Sequence, residues 1–192
     1  MLYENEIKIL SLLLENLEKE YTIREISLAL KQKYPQTHRS ISALSDKGLI
    51  NLRDVGKSKV VNLDFAKYHP EFAIVEQLRA IKFQHITEQL SEMKKPFCCI
   101  LFGSHARRKA KKTSDLDLLF ILPEEYNQET FEKQIFGKLA LYNPDINIIS
   151  GEDLLKSWQK KELNVGNELL MAHLVLYGAD YFISLLRRKH GY

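Results

Sequence analysis

The sequence predicts a mixed α/β (α+β) protein, in which a helical N-terminal region with one hairpin precedes a short mixed sheet flanked by helices. Three observations lead to this fold class. Apolar residues recur at helical spacing through the first 44 positions, and two short extended runs then flank a glycine-containing turn at residues 54–58. Further along, two apolar strand-like runs, residues 97–102 and 118–122, enclose another glycine turn. The 192 residues suffice for one or two small domains with their own cores.

The N-terminal region contains the signals of three helices. An amphipathic first helix is marked by Tyr3, Ile7, Leu10, Leu14, Leu17 and Tyr21. Thr22 and Glu25 have the spacing of a capping box, which predicts that a second helix begins at Ile23. A third helix is predicted after Tyr34-Pro35, and Gly48, a residue typical of helix C-termini, is predicted to end it.

A β-hairpin is predicted directly after the third helix. Residues 49–53 and 59–63 have the composition of two short strands, and the turn between them has a basic tip. Three helices and a hairpin in this order, with the segment HRSISALSDKGLINLRDVGKSKVVNL, resemble the winged helix-turn-helix transcription regulators. The resemblance covers residues 1–66. It implies double-stranded DNA as a partner and a role in transcription regulation.

Within this resemblance the third helix is the recognition helix, which enters the major groove of DNA. The candidates for contacts to base edges are Gln36, His38, Arg39, Ser40 and Ser42. Lys33, Lys57 and Lys59 are candidates for phosphate contacts, which fix the register of a protein on the duplex. The alternative is a winged helix that serves as a protein-interaction or dimerisation module.

Residues 67–95 are predicted to form a connecting helix. Phe83, Ile86, Leu90 and Met93 keep helical spacing, and Pro96 ends the pattern before the first apolar strand. The segment lacks the Gly/Ser composition of a flexible tether. We therefore expect a semi-rigid spacer or the first helix of the following domain.

The most informative stretch begins with Gly103-Ser104 and ends with Ser114-Asp115-Leu116-Asp117. Alternate side chains of a strand share one face, so Asp115 and Asp117 are expected side by side. Paired carboxylates suit Mg²⁺, which proteins bind through one or two carboxylates plus substrate phosphates. Backbone N–H groups of the glycine turn are suited to phosphate, and Arg107 or Arg108 in the basic segment between is expected to reach phosphate oxygens.

The run GSHARRKAKKTSDLDL resembles the signature of the polymerase-β-type minimal nucleotidyltransferases. The resemblance implies such a domain over residues 96–192. It also implies a nucleoside triphosphate, expected to be ATP, bound by Gly103, Ser104 and Ser114, and Mg²⁺ bound by Asp115 and Asp117. The implied reaction transfers a nucleoside monophosphate to a hydroxyl acceptor and releases pyrophosphate. Relatives of this size modify antibiotics, proteins or RNA ends, and a toxin or another protein remains open as the acceptor.

This family needs a third acidic residue on a later strand, and here the sequence departs from the pattern. The next extended run is residues 145–150, after a helix predicted over residues 128–141, and it carries Asp145 and Asn147 on one face. The family places its third carboxylate in the strand interior, which is the setting of Asn147. An asparagine accepts no proton. Either Asp145 supplies the base, or the chain is a DNA-binding regulator whose domain senses nucleotide or dimerises without turnover.

After residue 150 the sequence predicts two helices, over residues 151–160 and 167–188, with Trp158 and the stripe Leu169, His173 and Leu176 in the core. Apolar side chains left exposed on the second helix are a candidate homodimer contact. No apolar stretch reaches membrane-spanning length and no signal-peptide pattern is present, so we expect a cytoplasmic protein without a membrane partner. The adjacent Cys98 and Cys99 exclude a disulfide framework, and scattered histidines argue against zinc.

Overall fold

A computed structural model describes residues 1–111, 114–160, 162 and 164–192. The N-terminal region contains α1 (Glu4–Glu15), β1 (Tyr21–Thr22), α2 (Ile23–Ala29), α3 (Tyr34–Asp46), β2 (Ile50–Val55) and β3 (Ser58–Leu63). The remainder contains α4 (Pro70–Arg79), α5 (Gln84–Ser91), β4 (Cys98–Leu101), α6 (Gly103–Ala106), β5 (Leu116–Leu122), α7 (Gln128–Leu139), β6 (Pro144–Ser150), α8 (Gly151–Gln159), α9 (Val165–Met171), β7 (Leu174–Tyr177) and α10 (Ala179–Lys189). The predicted mixed α+β fold class is confirmed.

Local capping signals determine the ends of the N-terminal helices. The Thr22 hydroxyl accepts a hydrogen bond from the Glu25 N–H at 3.2 Å, and the Glu25 carboxylate accepts one from the Thr22 N–H at 2.7 Å. This capping box begins α2 at the predicted residue. Gly48 follows α3 with a φ of +71°, the left-handed conformation that commonly ends helices. The predicted first helix is too long, because α1 ends at Glu15 and Tyr21 pairs with β3 instead.

The N-terminal sheet has the strand order β1-β3-β2 and is antiparallel throughout. The last pair of the hairpin is Val55 with Ser58, so only Gly56 and Lys57 form its tip. The predicted five-residue turn is therefore too wide. Gly56 has a φ of +59°, as the first central position of a tight two-residue hairpin turn requires. The basic tip projects beyond the sheet on two well-paired strands.

The predicted connecting helix is two α-helices separated by a 3₁₀ turn, Ile81–Phe83. The break follows from packing in two directions. Phe72 and Val75 of α4 lie in a core cluster shared with the N-terminal region, whereas Ile86 and Leu90 of α5 lie in a second cluster on the other face of the C-terminal sheet. One straight helix cannot direct both apolar stripes to those two clusters, and the chain changes direction between them.

The C-terminal sheet has the strand order β6-β5-β4-β7, with β5 and β6 parallel and the other neighbours antiparallel. Its two faces are separate cores, one covered by α8 and α10 and the other by α5 and α7. Cys98 and Cys99 belong to opposite faces, as the sequence predicts. Burial raises the pKa of both thiols well above the usual range, which keeps them protonated.

The predicted helix over residues 167–188 is wrong. Here α9 ends at Met171, β7 pairs with β4, and only then does α10 begin. Gly178 explains the break before α10: its φ is +73°, and a Cβ at this position would lie 2.1 Å from the carbonyl oxygen of Phe97. The helical spacing of the stripe concealed the strand, although Leu169, His173 and Leu176 are buried as expected, and so is Trp158.

One hydrophobic cluster runs without interruption from the N-terminal helices to the C-terminal sheet. It includes Leu14 of α1, Phe72 of α4, Val175 of β7 and Phe182 of α10. The backbone N–H of Leu17 donates a 2.7 Å hydrogen bond to the carbonyl of Leu170 at the end of α9. The N-terminal region is thus packed directly on the sheet.

A buried polar cluster joins α4 to His173, the residue before β7. The Glu76 carboxylate accepts hydrogen bonds from Arg79 at 2.6 Å and from the His173 ring at 3.1 Å, and Arg79 also donates to the His173 carbonyl at 2.8 Å. Burial opposes the charged form of Glu76, but the neighbouring Arg79 and His173 outweigh it and hold the pKa of Glu76 below its usual value. A lowered folded-state pKa contributes stability near neutral pH that is lost as pH falls through that pKa. Within the described ranges, no helix is long and apolar enough to cross a membrane.

Candidate active site

The candidate site lies where β4 ends and β5 begins. The N–H of Phe102 donates a 3.0 Å hydrogen bond to the carbonyl of Asp117, which fixes the glycine turn against the start of β5. Gly103 has a φ of +64°, and a Cβ there would lie only 2.1 Å from Oδ2 of Asp117. The half-buried Asp117 carboxylate therefore occupies the space that any larger residue at position 103 would need. The predicted glycine turn and one predicted carboxylate are in direct contact.

Gly103→Ala is expected to destabilise the protein and weaken triphosphate binding. An alanine at this φ carries a cost of about 1–2 kcal/mol, and its methyl group displaces Asp117. Urea unfolding is the measurement. The matched control is Gly137→Ala, because Gly137 lies within α7 with open space around the added methyl, where alanine is the better helix former. Equal unfolding midpoints for the wild type and Gly103→Ala would contradict the packing argument.

Strand register determines which β6 residue stands beside this carboxylate. In the parallel pair β5–β6, Asp117 is the partner of Asp145, and Leu119 is the partner of Asn147. Paired residues of neighbouring strands point to the same face, and the strands lie about 4.8 Å apart. Asp145 is therefore level with Asp117, whereas Asn147 lies one pleat further into the sheet, beside a fully buried leucine.

Asp115 and Ser114 stand at the entrance to β5. Asp115 is exposed, two residues before Asp117. The Ser114 hydroxyl accepts a 2.9 Å hydrogen bond from the Lys111 N–H, and the Ser114 carbonyl lies 3.2 Å from the His105 ring. Lys112 and Thr113, part of the predicted basic segment, lie outside the described residues. The entrance to β5 is thus anchored to α6.

The donor set of this site consists of carboxylate oxygens, the ligands that Mg²⁺ prefers. Asp115 directly precedes β5, Asp117 lies near the start of β5, and Asp145 is the partner of Asp117 on β6. Among the described residues, no three His, Cys, Asp or Glu side chains already form a group that would hold a metal ion. The residue types, and the register that pairs Asp117 with Asp145, fit Mg²⁺.

Arg107 and Arg108, the predicted phosphate contacts, are engaged elsewhere. Arg107 forms an ion pair with Glu168 of α9, and Arg108 forms one with Glu15 of α1 at 3.1 Å. Arg108 also has a φ of +56°, an uncommon conformation for a residue with a side chain. The basic segment is thus held from two sides. Either arginine would have to exchange a carboxylate for a phosphate in order to contact a nucleotide.

The comparison with known families decides between a chance motif and a true relationship. A family model described as polymerase beta, nucleotidyltransferase matches residues 84–180, half of the chain. The chain belongs to the polymerase beta nucleotidyltransferase family. The matched range runs from α5 into α10 and includes Gly103, Ser104 and the three aspartates. No significant match was found among curated proteins or among solved structures.

Outside the range matched to the nucleotidyltransferase family, the predicted DNA contacts lie on the surface of the N-terminal region. Gln36, His38, Arg39 and Ser42 of α3 are exposed, Ser40 is half-buried, and Lys57 and Lys59 of the hairpin are exposed. A groove of about 780 Å³ separates the start of α3 from the hairpin, and His38, Lys57 and Lys59 line it. Lys33, just before α3, is exposed as well.

The groove residues that were not predicted as DNA contacts include one basic and one aromatic side chain. Arg24 and Tyr34 line it together with the predicted lysines, and no acidic side chain of the described residues does so. The available signal for Arg24 was its outward position in the capping box, where an exposed arginine directly follows a buried isoleucine. The groove is therefore a basic surface built from α2, the start of α3 and the hairpin.

Proposed function

We propose that this nucleotidyltransferase transfers a nucleoside monophosphate from a nucleoside triphosphate, with ATP as the first candidate, to a hydroxyl acceptor. The acceptor oxygen bonds to the α-phosphorus, the bond between the α-phosphorus and its bridging oxygen breaks, and pyrophosphate leaves. The supporting observation is the register of β5 and β6, in which Asp145 is the partner of Asp117. A third carboxylate beside the predicted pair is what this chemistry requires.

Each residue has a distinct role in this proposal. Gly103 and Ser104 bind the β- and γ-phosphates through backbone N–H groups, with Ser114 at the entrance to β5. Because α6 has only four residues, these individual N–H groups contribute more than any helix dipole. Asp115 and Asp117 hold Mg²⁺, which when bound supplies neutralisation of phosphate charge. Catalysis of phosphoryl-type transfer consists mostly of such positioning and charge compensation.

Asp145 is the proposed general base. It is exposed, so an acceptor hydroxyl can approach it, and it is level with Asp117. Asn147 accepts no proton, and its position beside Leu119 is further from the entrance to β5. Asn147 is therefore assigned a positioning contact rather than proton transfer.

A transfer assay tests the proposal. The full chain is incubated with Mg²⁺ and, in turn, with each of the four nucleoside triphosphates labelled at the α-phosphate. The acceptors offered are the protein itself, RNA and cell extract. Label retained on one acceptor is the expected result, and the same label placed at the γ-phosphate should be lost as pyrophosphate. If no acceptor retains α-label with any triphosphate, the alternative of a regulator without turnover, favoured by Asn147, replaces this proposal. A toxin or another protein would appear as a labelled band from extract.

We also infer that the N-terminal region binds double-stranded DNA through the basic groove. The groove joins the exposed face of α3 to the hairpin tip and carries Arg24, Lys57 and Lys59 without a lining acidic residue in the described part of the chain. A surface of this kind attracts polyanions. Gln36, His38, Arg39 and Ser42 are exposed on the same helix and are available for base edges.

DNA affinity is expected to fall steeply as salt rises, because bound phosphates release counterions. Lys57→Ala with Lys59→Ala should weaken binding to all sequences alike and reduce the slope of log K against log salt by about 2. Arg39→Ala should also relax sequence preference. The matched control is Lys133→Ala on α7, on the other side of the C-terminal sheet. Fluorescence anisotropy with short duplexes measures these effects, and absence of duplex binding at low salt would identify a protein-interaction module.

A further inference from the structure

A second cavity lies at the junction between the N-terminal region and the nucleotidyltransferase domain. This junction cleft has a volume of about 520 Å³ and is bounded by α1, the end of α2, the turn after α4, and α6. Small-molecule sites typically have volumes of this order and often lie between domains. None of the three site aspartates lines the junction cleft, and its contact with α6 is through His105 and Ala106 rather than the glycine turn.

The lining of the junction cleft is strongly cationic. Lys8, Arg79, Lys82 and Arg108 line it, and Glu15 is the single acidic residue among its described lining residues. Lys82 takes part in none of the ion pairs formed by the described residues. Among the described residues, Lys8 pairs only with the exposed Glu4, and such surface pairs contribute little. Two flexible lysines from different elements are thus available to an anion.

Arg79 and Arg108 contribute positive charge to the junction cleft in different ways. Arg79 is nearly buried and balanced by Glu76, so it forms a fixed polar wall of the junction cleft. Arg108 is largely exposed and pairs with Glu15, an exchangeable contact. Lys8, Lys82 and Arg108 are exposed residues that line the junction cleft together with a single described carboxylate, Glu15. Concave, partly enclosed sites strengthen such interactions relative to an open surface.

Part of the lining is apolar. Leu12 of α1, Leu30 after α2 and Leu174 of β7 contribute side chains to the same cavity. A simple inorganic anion would leave these surfaces without a partner. A ligand that combines an apolar planar body with several phosphate charges would contact both the leucines and the lysines, which is the chemistry of a nucleotide.

We propose that the junction cleft binds a nucleoside diphosphate without Mg²⁺, at a site distinct from the triphosphate site. The diphosphate group binds Lys8 and Lys82, and it binds Arg108 when that side chain exchanges Glu15 for a phosphate oxygen. The base and sugar lie against Leu12, Leu30 and Leu174. Because the basic side chains of the lining supply positive charge to the diphosphate, we expect binding without a metal ion.

Isothermal titration calorimetry of the full chain with ADP in EDTA tests this site. One saturable site is expected in the wild type. Neutralising both lysines, Lys8→Gln with Lys82→Gln, should weaken ADP binding roughly 100-fold or more, since each removes a hydrogen bond to a charged group that is worth about tenfold or more. Lys67→Gln is the matched control, because Lys67 is exposed and does not line the junction cleft. If the double variant does not fold, Lys82→Ala alone should still weaken binding.

The outcomes separate this proposal from the proposed enzymatic function. Asp115→Ala with Asp117→Ala should leave ADP binding in EDTA unchanged, while Mg²⁺-dependent ATP binding is lost. The proposal is overturned if ADP, GDP, CDP and UDP all fail to bind in EDTA, or if the lysine variants bind as the wild type does. Loss of ADP binding in the aspartate variant alone would assign the ligand to the triphosphate site instead. Any of these results can occur whether or not nucleotide transfer is observed.

Discussion

Asp115→Ala combined with Asp117→Ala is expected to reduce both Mg²⁺-dependent triphosphate binding and nucleotide transfer to background. Each substitution removes a hard oxygen ligand, and the backbone N–H groups of Gly103 and Ser104 alone cannot neutralise a triphosphate. Calorimetry with ATP and Mg²⁺ measures the first effect. The affinity of the variant should equal that of the wild type measured in EDTA.

The best matched control lies at the other end of the same strand. Glu124 and Glu125 are two exposed carboxylates that follow β5, and replacing both with alanine removes the same charge without touching the candidate site. This control should bind Mg²⁺-ATP as the wild type does. Equal ATP affinity in the aspartate variant and the wild type would contradict the assignment of the metal ligands.

Folding should survive the aspartate substitutions. Asp115 is exposed, and the Asp117 side chain packs against Gly103 without forming an ion pair among the described residues. Removing two neighbouring carboxylates also relieves mutual repulsion in the metal-free protein. Urea unfolding of the variant should therefore match the wild type closely, so that lost binding is attributable to the ligands themselves.

Features with local causes were predictable from the sequence. Thr22 and Glu25, three positions apart, form the capping box at the start of α2. Their side chains accept hydrogen bonds from the N–H groups of Glu25 and Thr22, so the start of this helix depends on local sequence alone. Gly48 follows the end of α3 and Gly103 begins α6, and both adopt a positive φ that favours glycine. The Asp115 and Asp117 motif was recognisable from its sequence, but Asp115 lies just before β5 rather than on the strand.

Features with distant causes were not predictable from one sequence. The strand β7 had the composition of a continuing helix, and only its pairing with β4 distinguishes the two. The break after α4 reflects two separate hydrophobic clusters, which helical spacing does not reveal. Arg108 contacts Glu15, 93 positions away in the sequence. The arginine that was predicted to bind phosphate is therefore already in an ion pair. Most important for the site, the sequence placed Asp145 and Asn147 on one face but did not give their register against β5.

The pairing of Asp117 with Asp145 leads to a second prediction with a large effect, a loss of nucleotide transfer when Asp145 is replaced. Asp145→Asn is expected to reduce nucleotide transfer by about 10²- to 10⁴-fold, the usual cost of losing a general base. Mg²⁺-ATP binding should be largely unchanged, because Asp115 and Asp117 remain and asparagine keeps the shape of the side chain. The loss should therefore appear in kcat rather than in the affinity for triphosphate.

Substitutions at Asn147 distinguish a protein in which Asp145 is the general base from one that has lost its general base. If Asp145 is the base, Asn147→Asp should not raise the rate of the wild type, since it adds a charge beside the buried Leu119, where burial opposes ionisation. If the family position at Asn147 has lost its carboxylate, the wild type should be inactive and Asn147→Asp should create a measurable rate. Asn147→Ser serves as the control for altered packing on this strand.

The combined variant makes the two explanations exclusive. Under the register argument, Asp145→Asn with Asn147→Asp moves the only nearby carboxylate of β6 one pleat, roughly 6.5 Å along the strand, and should not recover the activity lost on removing Asp145. Recovery of activity in the combined variant would mean that a carboxylate at position 147 can take the proton of the acceptor hydroxyl. The exact position of Asp145 would then not be essential. Full transfer by Asp145→Asn alone would remove Asp145 from the mechanism, because an amide cannot take the proton that the acceptor must lose when its oxygen bonds to phosphorus.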